Sequence, residues 1–217
     1  MLYIVATPIG NLEDITLRAI RTLKEVDLIL AEDTRTTGKL LKKYEINTKM
    51  KSFHHHSSAE KIDWIVDEIK NDMEIALVTD AGTPGIADPA GHLVEAVQKA
   101  GLRTIPIPGN SAVTALLSVS GINTDRFMFV GFLPKKKGRQ TLFKSLEEVK
   151  MPIIIFESPM RVTKTLKDIE SYLGDREVII GRELTKLYEE VLRMKASEAI
   201  EHFGAKKPKG EFVIIVH

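Results

Sequence analysis

The chain alternates short apolar runs with amphipathic segments. Leu2 to Ala6, Leu28 to Ala31, Ile75 to Val78 and Arg103 to Ile107 have the composition of buried strands. Between them, apolar residues recur at helical spacing. Leu17, Ile20 and Leu23 share a face, and Asp14 is placed to cap that helix. Ser57 and Glu60 have capping-box spacing ahead of Ile62, Ile65, Val66 and Ile69. Asp88-Pro89 opens a helix carrying Leu93, Val94 and Val97, and Gly101 closes it, since proline suits the first helical position and glycine the end. Ser111 to Val119 reads as another helix. Continuously apolar strands alternating with helices predict a mostly parallel sheet covered on both faces.

The pattern changes after about Gly121. Strands are predicted at 127–132, 153–156, 178–181, 188–194 and 212–216, with less helix between them. Ser158-Pro159 opens the one helix read in this half. Short connections between neighbouring strands favour antiparallel pairing, hence a mixed sheet. The boundary is placed in Ser118 to Thr124, giving an N-terminal α/β domain over 1–120 and a C-terminal one over 121–217.

Composition narrows the classes. Apolar residues make up 43% and charged residues 28%, the balance of a globular protein, and 217 residues suffice for two small cores. No apolar run approaches the roughly 20 residues that span a bilayer, so no membrane role and a cytoplasmic address are expected. With no cysteine there is no disulfide, thiolate metal site or thiol nucleophile. A net charge of +1 means that any nucleic acid must be held by local basic patches.

Three loops follow predicted parallel strands, where open α/β sheets bind ligands. They are Thr7 to Asn11, Asp80 to Pro89 and Pro106 to Ala112. In the second, Gly82 and Gly85 permit positive φ or close backbone approach, and prolines stiffen the turn. Tight strand-to-helix turns account for the same residues. No Gly-x-Gly-x-x-Gly follows the first strand and no P-loop is present, which disfavours a dehydrogenase or a kinase. Ala31-Glu32-Asp33-Thr34-Arg35 offers a polar binding edge or simply a helix start, where acids oppose the macrodipole. His54-His55-His56 is not read as a metal site, because adjacent side chains diverge. Lys135-Lys136-Lys137-Gly138-Arg139 is a candidate phosphate-binding loop, and Ala205 to Gly210 is a second basic loop.

Taken in order, seven segments resemble the tetrapyrrole methylase superfamily. They are Val5 to Thr16, Ala31 to Arg35, Asp80 to Ile86, Gly131-Phe132-Leu133-Pro134, Phe156-Glu157-Ser158-Pro159, Gly181 to Lys186, and Lys209 to Phe212. Within the superfamily they are most similar to the methyltransferases that modify the ribose 2′-oxygen of a cytidine in the decoding region of small-subunit ribosomal RNA. The resemblance implies two α/β domains, S-adenosylmethionine in the interdomain cleft, a homodimer, and small-subunit ribosomal RNA or the assembled small subunit as partner. It implies cofactor contacts at Ile9, Gly10 and Asn11, at Gly82, Thr83, Pro84 and Ile86, at Ser111 and Ala112, and at Phe156, Arg182 and Gly210. Candidate RNA contacts are Arg35, Lys135, Lys136, Lys137 and Arg139.

Candidates for accepting the ribose proton are Asp33, His55 and Asp88, with Lys186 orienting the nucleotide; no metal is required. The family usually has Ser-Asp-Pro-Gly where this chain has Ala87-Asp88-Pro89-Ala90, and proline in place of Asn110. Family members commonly continue past the last strand with a small helical region that this sequence lacks. Two other functions fit the same motifs: methylation of a small tetrapyrrole, and non-catalytic ribosome binding.

Overall fold

The computed structural model describes residues 1–54, 57–88, 90–205 and 208–217. Its contacts divide the chain into two compact units, Met1–Ser111 and Ala112–His217.

The first unit is a parallel sheet of β1 (Leu2–Val5), β2 (Leu28–Ala31), β3 (Met50–Ser52), β4 (Ile75–Val78) and β5 (Thr104–Ile107). Their order is β3-β2-β4-β1-β5, and every neighbouring pair is parallel. Alternate residues enter opposite cores, as the pleat requires. Ile29, Ala31, Ala76 and Val78 pack with α1 (Leu17–Glu25) and α2 (Thr34–Lys43). Leu28, Leu30, Ile75 and Leu77 pack with α3 (Ala59–Lys70) and α4 (Gly91–Lys99). The chain therefore leaves neighbouring strands β2 and β4 toward opposite faces, and their carboxyl ends flank a crevice.

Two caps differ from the sequence expectation. Thr16, not Asp14, caps α1, its hydroxyl accepting from the Ala19 amide at 3.1 Å. Asp14 instead ends a 3₁₀ turn over Leu12–Asp14. Ser58, not Ser57, caps α3 by accepting from the Lys61 amide, while the Ser57 hydroxyl accepts from the His54 amide. In both cases an eligible capping side chain stood nearby, and only the local backbone decided which one met an orphan amide.

The second unit contains β6 (Met128–Phe132), β7 (Ile153–Glu157), β8 (Glu177–Arg182), β9 (Glu190–Lys195) and β10 (Phe212–Val216), in the order β6-β7-β10-β8-β9. Only β6 and β7 are parallel; β10 runs antiparallel to β7 and β8, and β9 to β8. One face packs on α6 (Arg139–Leu146), α7 (Val162–Leu173) and α8 (Ala196–Gly204) through Ile153, Ile155, Val178, Ile180, Ile214 and Val216. The other meets α5 (Ala112–Val119), where a Cβ on Gly181 would stand 2.9 Å from Leu116. That close approach groups α5 with the second unit.

Candidate functional site

The three loops of the first unit are tied to one another by a main-chain bridge and by short side chains that donate to main-chain carbonyls. Thr7 and Gly82 form an antiparallel bridge, exchanging amide–carbonyl bonds of 2.9 and 3.1 Å. The buried Thr7 hydroxyl donates to the Thr79 carbonyl at 3.0 Å. Thr83 donates through its hydroxyl to the Asn110 carbonyl at 3.1 Å, and the Asn110 side-chain amide donates to the Asp14 carbonyl at 3.1 Å. Close approach is required at Gly109, where a Cβ would lie 3.0 Å from that of Ala6.

At Gly82 the constraint is different. Its φ is +82°, but an added Cβ would make only ordinary contacts with Ile9 and Asn110. Backbone conformation, not space, selects glycine there. Gly85 has φ +89° and Ala87, which carries a Cβ, has φ +62°. A non-glycine residue held in this region costs about 1–2 kcal/mol, and such strain concentrates at functional sites.

Beside this loop, the carboxyl ends of β2 and β4 bring three acids together. Thr79 donates its hydroxyl to Glu32 at 2.6 Å, and the Asp33 amide donates to Asp80 Oδ1 at 3.1 Å. Burial first, and then the Glu32 and Asp33 carboxylates, push the Asp80 carboxyl above its usual range, against the pull of the Asp33 amide. Asp80 Oδ2 accepts no hydrogen bond among the described residues. Asp33 is the N-cap of α2, so the helix-start reading of this segment holds. The Arg35 guanidinium donates to both its oxygens, closest at 2.6 Å, and the Arg35 amide adds 2.8 Å. The guanidinium first, and then that amide, lower the Asp33 carboxyl to about 2.

The remaining candidates have varied fates. Asp88 Oδ1 accepts from the Gly85 and Ala90 amides, both at 2.8 Å, so this carboxylate clamps its own loop. His55 lies outside the described residues, as do His56, Pro89, Lys206 and Lys207. Ile9, Gly10, Asn11, Pro84 and Ile86 all sit on the loops just described, Ile86 with half its surface exposed. Ser111 closes the first unit and Ala112 begins α5.

In the second unit, Lys186 donates to Glu183 at 2.9 Å and to Glu211 at 2.8 Å. Burial opposes its charge, but its hydrogen bonds to the Glu211 and Glu183 carboxylates win and raise its pKa. Arg182 donates to the Lys209 carbonyl at 2.8 Å and to Glu190 at 2.9 Å. Gly210, at φ +93°, leaves room for Glu183, whose side chain an added Cβ would strike. Phe156 makes edge contacts with Phe129 and Phe132, at 4.9 and 5.5 Å.

The basic loop splits in two. Lys135, Lys136 and Lys137 are exposed. Arg139 is buried, 5% accessible, and donates to Asp168 at 2.7 Å, Thr165 at 2.8 Å and the Pro134 carbonyl at 3.2 Å. Its guanidinium is thus committed to the fold rather than to a phosphate, correcting the sequence assignment. Charge alone cannot tell the two fates apart, because burial depends on α7 arriving from a distant part of the chain.

Asp80 was not among the sequence candidates; its position at a strand's carboxyl end, one strand from Glu32, was the available signal. Sequence reasoning also missed the support under the basic loop. Glu157 is buried, and Arg161 donates to it at 2.9 and 3.0 Å and to the Leu133 carbonyl at 2.6 Å. Thr165 adds a bond to Glu157 at 2.6 Å.

Among the described residues no group of histidine, aspartate or glutamate has the makings of a metal site. No helix of theirs is long and apolar enough to cross a membrane. A large concavity of the first unit, about 1000 Å³, lies at the opposite, amino ends of β2 to β4 around Lys51 and Trp64. It is wide and lined by charges of both signs. The loop cluster is the better candidate despite its shallower surface.

The chain is similar to known proteins in sequence and in fold. A family model described as Tetrapyrrole (Corrin/Porphyrin) Methylases matches residues 1–200. The chain is 50% identical to "Ribosomal RNA small subunit methyltransferase I" of Thermotoga maritima, covering 99% of this chain and 97% of that one. It is 47% identical to the protein of the same name from Synechocystis, covering 100% and 78%. Two solved structures share its fold: diphthine synthase, at TM-score 0.78 and 14% identity over 99% of this chain and 88% of that one, and a cobalt precorrin-4 methyltransferase, at 0.72 and 17% over 99% and 94%. The chain belongs to the tetrapyrrole (corrin/porphyrin) methylase family, among the ribosomal RNA small subunit methyltransferase I proteins.

Proposed function

We propose that this protein is a cytoplasmic, homodimeric S-adenosylmethionine-dependent methyltransferase of small-subunit ribosomal RNA, acting on the ribose 2′-oxygen of a cytidine in the decoding region. The observation that carries the reading is the 50% identity to the Thermotoga protein along almost the whole of both chains. Structures below 20% identity, including the precorrin enzyme, share the fold and do not favour a tetrapyrrole substrate.

The first-unit loops fit the cofactor chemically. Gly82, Thr83, Pro84 and Ile86 present main chain on an open, conformationally strained turn, and Gly85 has nothing within 4 Å of where a Cβ would stand. Ile9, Gly10 and Asn11 border that turn through the Thr7–Gly82 bridge. The neighbouring Glu32 and Asp33 carboxylates suit an ammonium group or ribose hydroxyls. When bound, the cofactor supplies an electrophilic methyl group. Ser111, Ala112, Phe156, Arg182 and Gly210 remain cofactor contacts by family position.

The protein's own task is to place the ribose hydroxyl and take its proton. Asp33 is held by Arg35 and Asp88 by two amides. Lys186 is held by two glutamates. Asp80 keeps an uncommitted oxygen and a raised pKa, which makes its carboxylate the stronger base. We assign the proton to Asp80 Oδ2. Methyl transfer from labelled S-adenosylmethionine to isolated small subunits, with mapping of the labelled nucleotide, tests the function. Label on the 2′-oxygen of one decoding-region cytidine is expected; label only on a precorrin-type substrate, or no specific cofactor binding by calorimetry, overturns it.

A further inference from the structure

One ring of the second unit has no role in the reaction described above: Phe132, at the end of β6. Pairing of β6 with β7 is regular at Met128 and Phe129, then shifts between Phe129 and Gly131, so that Val130 is an extra residue. Gly131 supports the shift with φ +63°. Strict alternation would carry Phe132 onto the same face as Met128 and Val130, which pack against the main core. The bulge reverses this. Phe132 comes opposite Phe156 and its ring joins Phe129 and Phe156 on the other face. Bulges are rare in parallel pairs, and they recur where a side chain must be re-aimed.

The re-aimed ring is not buried by the move. Phe132 is 57% exposed, although a phenylalanine fully buried in the core is worth about 1.5–3 kcal/mol. It is also held still. Phe156 props it at a centroid distance of 5.5 Å and 60° between planes. The next two carbonyls, of Leu133 and Pro134, are gripped by Arg161 at 2.6 Å and Arg139 at 3.2 Å. Lys135, Lys136 and Lys137 follow directly, exposed and without ion-pair partners among the described residues. Lys135 is three residues from the ring and Lys137 five, at most about 10 and about 18 Å of extended chain, so ring and lysines lie along one short track.

We propose that Phe132 is a stacking platform for one unstacked base of single-stranded RNA, with Lys135, Lys136 and Lys137 holding the adjoining phosphates. A fixed, exposed aromatic beside a basic track is the arrangement by which proteins hold single strands. Its rigidity limits the ordering cost of binding. Buried Arg139 and half-buried Arg161 serve as positioning residues for this platform. The partner class rests on the RNA methyltransferase reading; the ring geometry does not.

The test is binding of a short, fluorescently labelled oligocytidylate, followed by anisotropy at several salt concentrations. Phe132→Leu keeps an apolar side chain and removes the ring. It is expected to weaken binding about 5- to 150-fold, the worth of one stacked base, without changing the salt slope. Phe132→Trp is expected to restore affinity. Changing Lys135, Lys136 and Lys137 together to Glu should instead flatten the slope, by about 0.7 for each phosphate no longer neutralised. Thermal melts confirm folding of each variant.

Equal affinity of the native chain and Phe132→Leu overturns the proposal. So does absence of oligocytidylate binding by the native chain, or a Phe132→Leu variant that loses affinity for S-adenosylmethionine instead of RNA. The two readings fail separately. A chain that methylates small subunits while Phe132→Leu binds RNA normally sinks only the platform. A chain with Phe132-dependent RNA binding that methylates no RNA sinks only the enzyme.

Discussion

The loop cluster of the first unit and the basic loop of the second are held in shape by different means. The first is held by its backbone and by short polar side chains bonded to it: the Thr7–Gly82 bridge, glycines at positive φ, a strained Ala87, and bonds between the Thr7, Thr83, Asn110 and Asp88 side chains and main-chain groups. The second rests on buried charge: Arg139 on Asp168, and Arg161 on Glu157, each also gripping a loop carbonyl. A parallel sheet sends all its βα turns to one end, so these turns can brace one another through backbone atoms. A loop that packs against one helix has no such neighbours, and long side chains must reach it instead. The two sites should therefore break under different substitutions.

The largest expected effect belongs to a side chain with one oxygen left over from the fold, since only Asp80 Oδ1 is used, by the Asp33 amide. Asp80→Asn should lower single-turnover methyl transfer by about 10²–10⁴-fold, with cofactor affinity and thermal stability unchanged. A full rate in this variant would return the proton to water or to another group.

Arg139→Ala comes next. It leaves Asp168, Thr165 and the Pro134 carbonyl short of a donor, and removing one partner of a buried pair costs about 3–5 kcal/mol. Urea denaturation measures this. Wild-type stability with weakened RNA binding would put Arg139 back on the RNA surface and erase the contrast.

Gly82→Ala should cost less, about 1–2 kcal/mol for a Cβ held at positive φ, because the space around it is sufficient. Gly82→Val should be worse in stability and should abolish cofactor binding while remaining folded. Calorimetry with S-adenosylmethionine on folded variants is the check, and unchanged affinity of Gly82→Val would remove this loop from the site.

The smallest effect is electrostatic and local. Asp33 titrates at about 2, well below its ordinary 3.8. Its folded pKa is depressed, so its contribution is complete above about pH 4 and is lost as pH falls through about 2. Carboxyl-carbon NMR should show this midpoint, and Arg35→Ala should move it upward. A midpoint near 3.8 in the native chain would mean that the exposed pair does not form in solution.

Much of this was legible in the sequence. Leu28 to Ala31 and Ile75 to Val78, apolar at every position, announce strands buried on both faces, because a sheet covered twice has no polar side. The turn glycines and prolines located the loop cluster, since those residues act through their own backbone. The family was legible too, because seven motifs kept their order. What stayed hidden depended on partners far along the chain. Arg139 and Lys137 look alike until Thr165 and Asp168 arrive with α7. Asp80 and Asp33 look alike until one receives Arg35 and the other is left partly desolvated beside two carboxylates. Phe132 reads as one more strand residue until the pairing of β6 with β7 shows a bulge. Local sequence determines conformation and periodicity; burial, ion pairing and strand register are decided only by what tertiary contact brings alongside.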